Sequence, residues 1–96
     1  MKFIPYGHQS IDDDDVRSVV EILKGDWLTT GPTVDLFEAD LAGYVGARHA
    51  VAVNSGTSAL DIAVQALDLP KGSEIITTPF TFAATSNAIL YNGHIP

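Results

Sequence analysis

The sequence contains no cysteine, which excludes disulfide bonds and thiolate metal ligands. Basic residues are few: five Lys and Arg stand against twelve Asp and Glu, for a formal charge of −7. A sequence-independent grip on nucleic acid needs a basic surface, so we expect no nucleic-acid partner. No run of about 18 apolar residues occurs, so we expect no membrane-spanning helix. The chain does not open with a basic segment followed by an apolar one, and we expect a cytoplasmic protein.

Four of the acidic residues stand together as Asp12–Asp15. A divalent-ion site is one interpretation of this run. The favoured interpretation is a helix start, because carboxylates stabilise the positive end of a helix dipole. His8, His49 and His94 are far apart and lack metal-ligand spacing, so we interpret each as structural or solvated and expect no metal site.

Two helices are predicted near the start of the chain. A stripe of apolar residues at helical spacing predicts the first, which ends at Lys24 and Gly25. The stripe consists of Val16, Val19, Val20 and Leu23. Residues 26–30 have the composition of a loop, after which Pro32 opens a second helix that Gly46 closes.

The remainder of the chain alternates apolar strands with helices. The predicted elements are strands at 49–53 and 74–77, helices at 58–67 and 81–91, and a third strand that begins at Ile95. The helix at 58–67 is apolar on nearly every side and should be buried, and Asn92-Gly93 is typical of a left-handed cap. This alternation predicts an α/β fold with a mostly parallel sheet. Because such a sheet needs more partners than these, we expect a truncated domain.

The segment that carries most chemistry is VNSGTSAL, residues 53–60. The first amides of a helix have no intrahelical acceptor, and with the helix dipole they form an anion site. Gly56 would let the backbone approach a phosphate that the amides of Thr57 and Ser58 hold. The alternative is that Ser55 or Thr57 only caps the helix. Neither a Walker loop nor a G-x-G-x-x-G pattern is present.

Five segments resemble, in order and spacing, the DegT/DnrJ/EryC1/StrS family of pyridoxal-phosphate-dependent sugar aminotransferases. They are GDWLTTGP (25–32), Phe37-Glu38, YVGARHA (44–50), SGTSAL (55–60) and TPFTFAATSNA (78–88). The resemblance implies the incomplete N-terminal part of a type I aminotransferase large domain, with helices followed by βαβαβ. Residues 1–31 would form the N-terminal helix and substrate loop, and 32–96 the start of the large coenzyme-binding domain. A homodimer with glutamate as amino donor is also implied.

The family also implies site residues at matching positions. Thr57 and Ser58 would bind the phosphate of pyridoxal 5'-phosphate, Gly56 would form the turn, and Phe82 would stack on the pyridine ring. The nucleotide-sugar pocket would be lined by Tyr6, Asp26, Trp27, Leu28 and Thr29. Without the family, Phe82 would be interpreted as a core residue, and packing against the first helix would be the alternative for Trp27.

No catalytic residue is assigned, because the family's Schiff-base lysine lies beyond residue 96 and none of Lys2, Lys24 and Lys71 matches it. Three functions stay open. The first is an N-terminal fragment of an aminotransferase that moves an amino group from glutamate to the 4-keto group of a UDP-linked deoxy-sugar. The second is a fragment of a dehydratase of the same family, with histidine in place of the lysine. The third is a short binding or regulatory module.

Overall fold

The computed structural model describes residues 3–96. Its helices are α1 (Asp13–Lys24), α2 (Pro32–Val45), α3 (Gly56–Ala66) and α4 (Ala84–Tyr91). The chain divides into two compact units, one that ends at Ala47 and one that spans Arg48–Pro96. No helix within residues 3–96 has the length and apolar character that crossing a membrane requires.

The acidic run forms the start of α1, as predicted. The Asp12 carboxylate accepts hydrogen bonds from the backbone N–H groups of Asp14 at 2.9 Å and Asp15 at 3.0 Å. The Asp15 carboxylate in turn accepts from the Asp12 N–H at 3.1 Å, which completes a capping box. Arg17 pairs with Asp14 one turn apart on the surface. The carboxylates of this run therefore satisfy amides that the helix itself leaves without acceptors.

The predicted bounds of α2 are confirmed. Pro32 occupies the first turn, where a missing N–H costs nothing. At the other end Gly46 is left-handed, with φ of 70°, and the N–H of Ala47 donates to the Ala42 carbonyl at 2.9 Å. This 6→1 bond is the Schellman geometry that glycine permits. Ala42 is the buried hydrophobic residue of the first unit within the described residues.

In the second unit α3 packs against α4. The buried hydrophobic residues here are Ala84, Ala88 and Ile89, all on α4. The predicted left-handed cap falls on Gly93, with φ of 77°, and the His94 N–H donates to the Ile89 carbonyl at 3.1 Å. Asn92 keeps a negative φ of −85°. The glycine alone therefore provides the reversal of the chain.

The predicted βαβαβ sheet is not formed as strands in residues 3–96. One isolated parallel bridge joins Glu74 to Ile95. Around it, the Ile95 N–H donates to Ser73 O at 3.0 Å and the Ile75 N–H donates to Ile95 O at 2.8 Å. Residues 49–53 belong to no ladder of the described chain. A parallel strand is held by neighbours on both sides, and the described chain supplies this single contact.

Two further predictions about the helices need correction. The helix predicted at 58–67 begins at Gly56, and it contains no buried residue: Leu60 is 38% and Ile62 48% exposed. An all-round apolar helix becomes buried only where neighbours cover every side, and within its unit α3 packs on one helix. The helix predicted at 81–91 begins at Ala84, after a turn in which the Thr85 N–H donates to Phe82 O at 3.1 Å.

Candidate functional site

The turn before α3 is built by Ser55, which adopts an extended backbone and caps the helix. Its Oγ accepts a hydrogen bond from the Ser58 N–H at 3.1 Å and lies 3.0 Å from the Ser58 Oγ. The capping alternative raised by the sequence is thus realised at Ser55. As a consequence, the Ser58 N–H already has an acceptor within the protein, and the hydroxyls of Ser55 and Ser58 lie together at the start of α3.

The two amides that precede Ser58 remain available. In residues 3–96 the N–H groups of Gly56 and Thr57 have no hydrogen-bond acceptor, and both residues are exposed. They stand at the positive end of the α3 dipole, where an anion is stabilised. Among the described residues, a Cβ built on Gly56 would meet no atom within 4 Å outside its own helix backbone and chain neighbours, so the space beside its Cα is open to a ligand.

Phe82 lies in the turn just before α4, and its side chain is 80% exposed. It is therefore not a core residue of the described unit, contrary to what phenylalanine alone would suggest. Because α3 packs on α4, the turn at Gly56–Ser58 and the ring of Phe82 stand at the beginnings of two helices in contact. Such a pair offers amide donors and an aromatic face within one unit.

A side-chain contact that the sequence did not reveal joins these helices. The Asn92 Nδ2 donates to the Asp61 Oδ1 at 2.7 Å and to the Ala88 carbonyl at 2.8 Å. Asp61 and Asn92 are 31 residues apart. The sequence indicates Asn92 only as part of a helix stop, and no local pattern connects it to a carboxylate in the middle of another helix.

The residues predicted to line the substrate pocket lie in the first unit and are exposed. Tyr6 is fully exposed, Trp27 is 63% and Leu28 67% exposed, and Asp26 and Thr29 are exposed as well. Leu28 lines a groove of about 290 Å³ beside α1. The rest of that groove is formed by Ser18, Val19, Ile22, Leu23 and Thr33.

The loop is held in shape by a close contact that sequence reasoning missed. A Cβ on Gly31 would stand 2.7 Å from the Trp27 Cβ and 3.4 Å from its Cγ. Trp27 therefore lies directly over Gly31, and a larger residue there would displace it. Thr30, between them, has φ of 46°, which is a strained backbone for a β-branched residue. A glycine four residues after an aromatic residue in a tight loop was the available signal.

The three histidines differ in their surroundings. His8 and His49 are exposed, whereas His94 is 6% exposed and its Nδ1 has no hydrogen-bond partner in the described residues. Within residues 3–96 no three His, Asp or Glu side chains are grouped to hold a metal ion. His94 is thus a packed residue behind the α4 cap.

A sequence profile of the DegT/DnrJ/EryC1/StrS aminotransferase family matches residues 9–96. The chain belongs to this family. The match contains the α3 turn, Phe82 and the loop around Trp27, while Tyr6 lies before it.

Relatives within the DegT/DnrJ/EryC1/StrS family are similar over nearly the whole chain. A UDP-4-amino-4,6-dideoxy-N-acetyl-beta-L-altrosamine transaminase of Campylobacter jejuni is 48% identical over 90 residues, 94% of this chain and 24% of that protein. The spore coat polysaccharide biosynthesis protein SpsC of Bacillus subtilis is 45% identical over 94 residues, 98% of this chain and 24% of SpsC. The chain thus spans about a quarter of the length of these relatives.

A solved structure agrees with the family assignment. The aminotransferase from Psychrobacter cryohalolentis superposes with a TM-score of 0.80 at 33% identity, over 97% of this chain and 24% of that one. The backbone described above is therefore that of the corresponding part of an aminotransferase.

Proposed function

We propose that the chain is the N-terminal part of a pyridoxal-phosphate-dependent aminotransferase that acts on a nucleotide sugar. The amino group passes from glutamate to the 4-keto group of a UDP-linked deoxy-sugar, which leaves 2-oxoglutarate and an amino sugar. The single observation that carries the proposal is the 48% identity to a transaminase named for such a sugar, over 94% of this chain. Pseudaminic acid synthesis is the pathway that the resemblance to this enzyme suggests.

The residues of the second unit fit pyridoxal 5'-phosphate. The free amides of Gly56 and Thr57 lie at a helix start, and the space beside the Gly56 Cα is open. We assign Gly56, Thr57 and Ser58 to the phosphate and Phe82 to the pyridine ring. When bound, the coenzyme supplies an electron sink for amino transfer. The chain's own contribution is to hold the phosphate and to cover one face of the ring.

Ser58 takes part differently from the first expectation. Because Ser55 Oγ already accepts its amide hydrogen at 3.1 Å, Ser58 would reach the phosphate through its hydroxyl. Thr57 can donate both its amide and its hydroxyl. Ser55 thereby has a supporting role, since it orients the Ser58 hydroxyl from 3.0 Å.

The part of the first unit that precedes α2 is proposed to hold the sugar nucleotide. Trp27 is 63% exposed, and its Cβ and Cγ lie close to Gly31, which leaves an indole that suits stacking on a planar or apolar part of a ligand. Asp26 and Thr29 would add polar contacts, and Tyr6 and Leu28 would complete the pocket. We place residues 1–31 in this substrate-binding segment and 32–96 in the coenzyme-binding domain of a cytoplasmic homodimer.

The experiment that tests the function uses the full-length protein. It is incubated with glutamate, pyridoxal phosphate and a UDP-4-keto-deoxy-sugar, and 2-oxoglutarate and amino sugar are measured. The proposal predicts the two products in equal amounts, each dependent on both substrates. Loss of water from the sugar without release of 2-oxoglutarate would instead indicate the dehydratase alternative. Binding of the sugar with no turnover would indicate a binding module.

A further inference from the structure

Two of the three buried side chains of α4, which packs against α3, are short. On α4 the buried residues are Ala84 and Ala88, one turn apart, together with Ile89. Short side chains let two helices approach closely, but they form shallow ridges and so do little to set how one helix slides along the other. A directional contact is needed to hold these helices in one register.

Asn92 provides that contact. Its Nδ2 donates to the Asp61 carboxylate at 2.7 Å, to the Asp61 carbonyl at 3.4 Å and to the Ala88 carbonyl at 2.8 Å. Asp61 and Asn92 are both half-buried, so water screens the bond less than at the surface. A short bond to an ionised acceptor is of the stronger class. The contact therefore ties the end of α4 to the middle of α3.

We propose that Asn92 is a positioning residue for the coenzyme. Acting through Asp61, it fixes the register of α3, which begins with the phosphate turn, against α4, which follows Phe82. The inference rests on the proposed function, since it assumes that Gly56–Ser58 and Phe82 bind the same molecule. It assigns to Asn92 and Asp61 a role in coenzyme affinity although neither is expected to touch the coenzyme.

The Asp61–Asn92 bond lies within a few helical turns of both proposed coenzyme-binding positions. Asp61 follows Gly56 by five residues, about 7.5 Å along α3, and the eight residues of α4, which lie between Ala83 and Asn92, span about 12 Å. The phosphate and the ring are parts of one small rigid molecule. A slide of α3 against α4 therefore separates their two binding sites, and a misplacement of about 1 Å is enough to weaken such a site strongly.

The test compares coenzyme affinity among variants of the full-length protein, measured by equilibrium dialysis of pyridoxal phosphate. Asn92→Asp places two carboxylates against each other, and we expect roughly a tenfold weaker affinity, within the usual range of coupling between contacting residues. Asp61→Asn keeps an acceptor oxygen and should stay within about threefold of wild type. The exchange Asp61→Asn with Asn92→Asp reverses donor and acceptor between the two side chains and removes the carboxylate pair, so it should recover part of the loss, while the bond to the Ala88 carbonyl stays lost.

Asn87→Asp is the matched control, because Asn87 is on the same helix and its side chain makes no hydrogen bond in the described residues. It should bind the coenzyme as wild type does. Wild-type affinity in Asn92→Asp, or no recovery in a folded exchange variant, would overturn the positioning role. If Asn92→Asp fails to fold, the exchange variant decides, since it restores a hydrogen bond between the side chains at positions 61 and 92. A wild-type protein that binds no coenzyme overturns the proposed function instead.

Discussion

Gly31 and Gly56 are both glycines beside a predicted ligand, but they are required for different reasons. At Gly31 the chain itself leaves no room, since a Cβ would stand 2.7 Å from the Trp27 Cβ. At Gly56 a Cβ would meet no atom within 4 Å, and the residue lies in the first turn of a helix with an ordinary backbone. A substitution at Gly56 should therefore disturb a ligand rather than the fold.

Replacing Gly56 by valine tests the phosphate turn. We expect the full-length variant to fold normally and to lose pyridoxal phosphate affinity by more than about a hundredfold, because the branched side chain occupies the place of the phosphate and blocks two amide donors. Equilibrium dialysis measures the affinity and circular dichroism the fold. Gly43→Val is the control, since a Cβ there also meets open space. Normal coenzyme retention by Gly56→Val would refute the phosphate assignment.

Truncation of Trp27 tests the substrate loop. Trp27→Ala should raise the KM for the nucleotide sugar several-fold while the KM for glutamate changes little, because an aromatic contact contributes about 1 kcal/mol beyond burial. Gly31→Ala should produce the same pattern by pushing Trp27 aside. Steady-state kinetics with each substrate varied gives both constants. Tyr44→Ala removes another exposed aromatic residue as a control, and equal effects on both substrates would make Trp27 a packing residue.

The phosphate turn could be proposed from the residues themselves because it is a short contiguous segment with local chemistry, whereas Phe82 and the substrate loop are assigned only through the resemblance to the family. A Ser-Gly-Thr-Ser turn before an apolar helix indicates free amides whatever surrounds it. The Asp61–Asn92 bond could not be predicted, because it joins residues 31 apart and depends on how two helices pack. The contact between Trp27 and Gly31 likewise depends on the loop's own path.

At the scale of elements, the helix ends follow local rules closely. The stops at Gly25, Gly46 and Gly93 and the start at Asp12 were predictable, since caps are satisfied by residues within one turn. Strand formation could not be predicted in the same way, because a parallel ladder needs neighbours distant in sequence. The described residues form one bridge, between Glu74 and Ile95.

The capping box of α1 gives a test at this scale. Asp12→Ala removes the acceptor of the Asp14 and Asp15 amides, and losing such a cap costs about 1 kcal/mol. In the full-length protein, hydrogen exchange at these two amides should accelerate roughly fivefold. Asp13→Ala removes a neighbouring charge that makes no capping bond and should have a smaller effect. Equal acceleration in both variants would show that charge, not the cap, stabilises the helix start.

At the scale of the whole molecule, many large apolar side chains of the described residues are exposed. Within residues 3–96 four hydrophobic residues are buried, whereas Phe80, Ile76 and Tyr44 are at least 90% exposed. A soluble protein seldom leaves such surface uncovered. The chain spans 24% of its relatives, and we propose that the remainder of the protein and a second subunit cover this surface.

The 96-residue chain expressed alone should therefore aggregate or remain partly folded. Its exposed apolar residues and its lack of a complete sheet favour association over a single packed state. Thermal unfolding followed by circular dichroism, with sedimentation to measure size, tests this expectation. A soluble monomer with one sharp cooperative transition would show that these residues form a self-sufficient domain.

The most direct test of the central claim compares coenzyme binding by the 96-residue chain and by the full-length protein. Both are dialysed against pyridoxal phosphate near stoichiometry, so that Lys2, Lys24 and Lys71 do not react at random, and the visible absorbance is recorded. We predict tight stoichiometric binding with a lysine-bound absorbance band in the full-length protein. The short chain should bind weakly, without that band, and free phosphate should displace the coenzyme. Tight, stoichiometric, lysine-bound coenzyme on the 96-residue chain, or none on the full-length protein, would contradict the account.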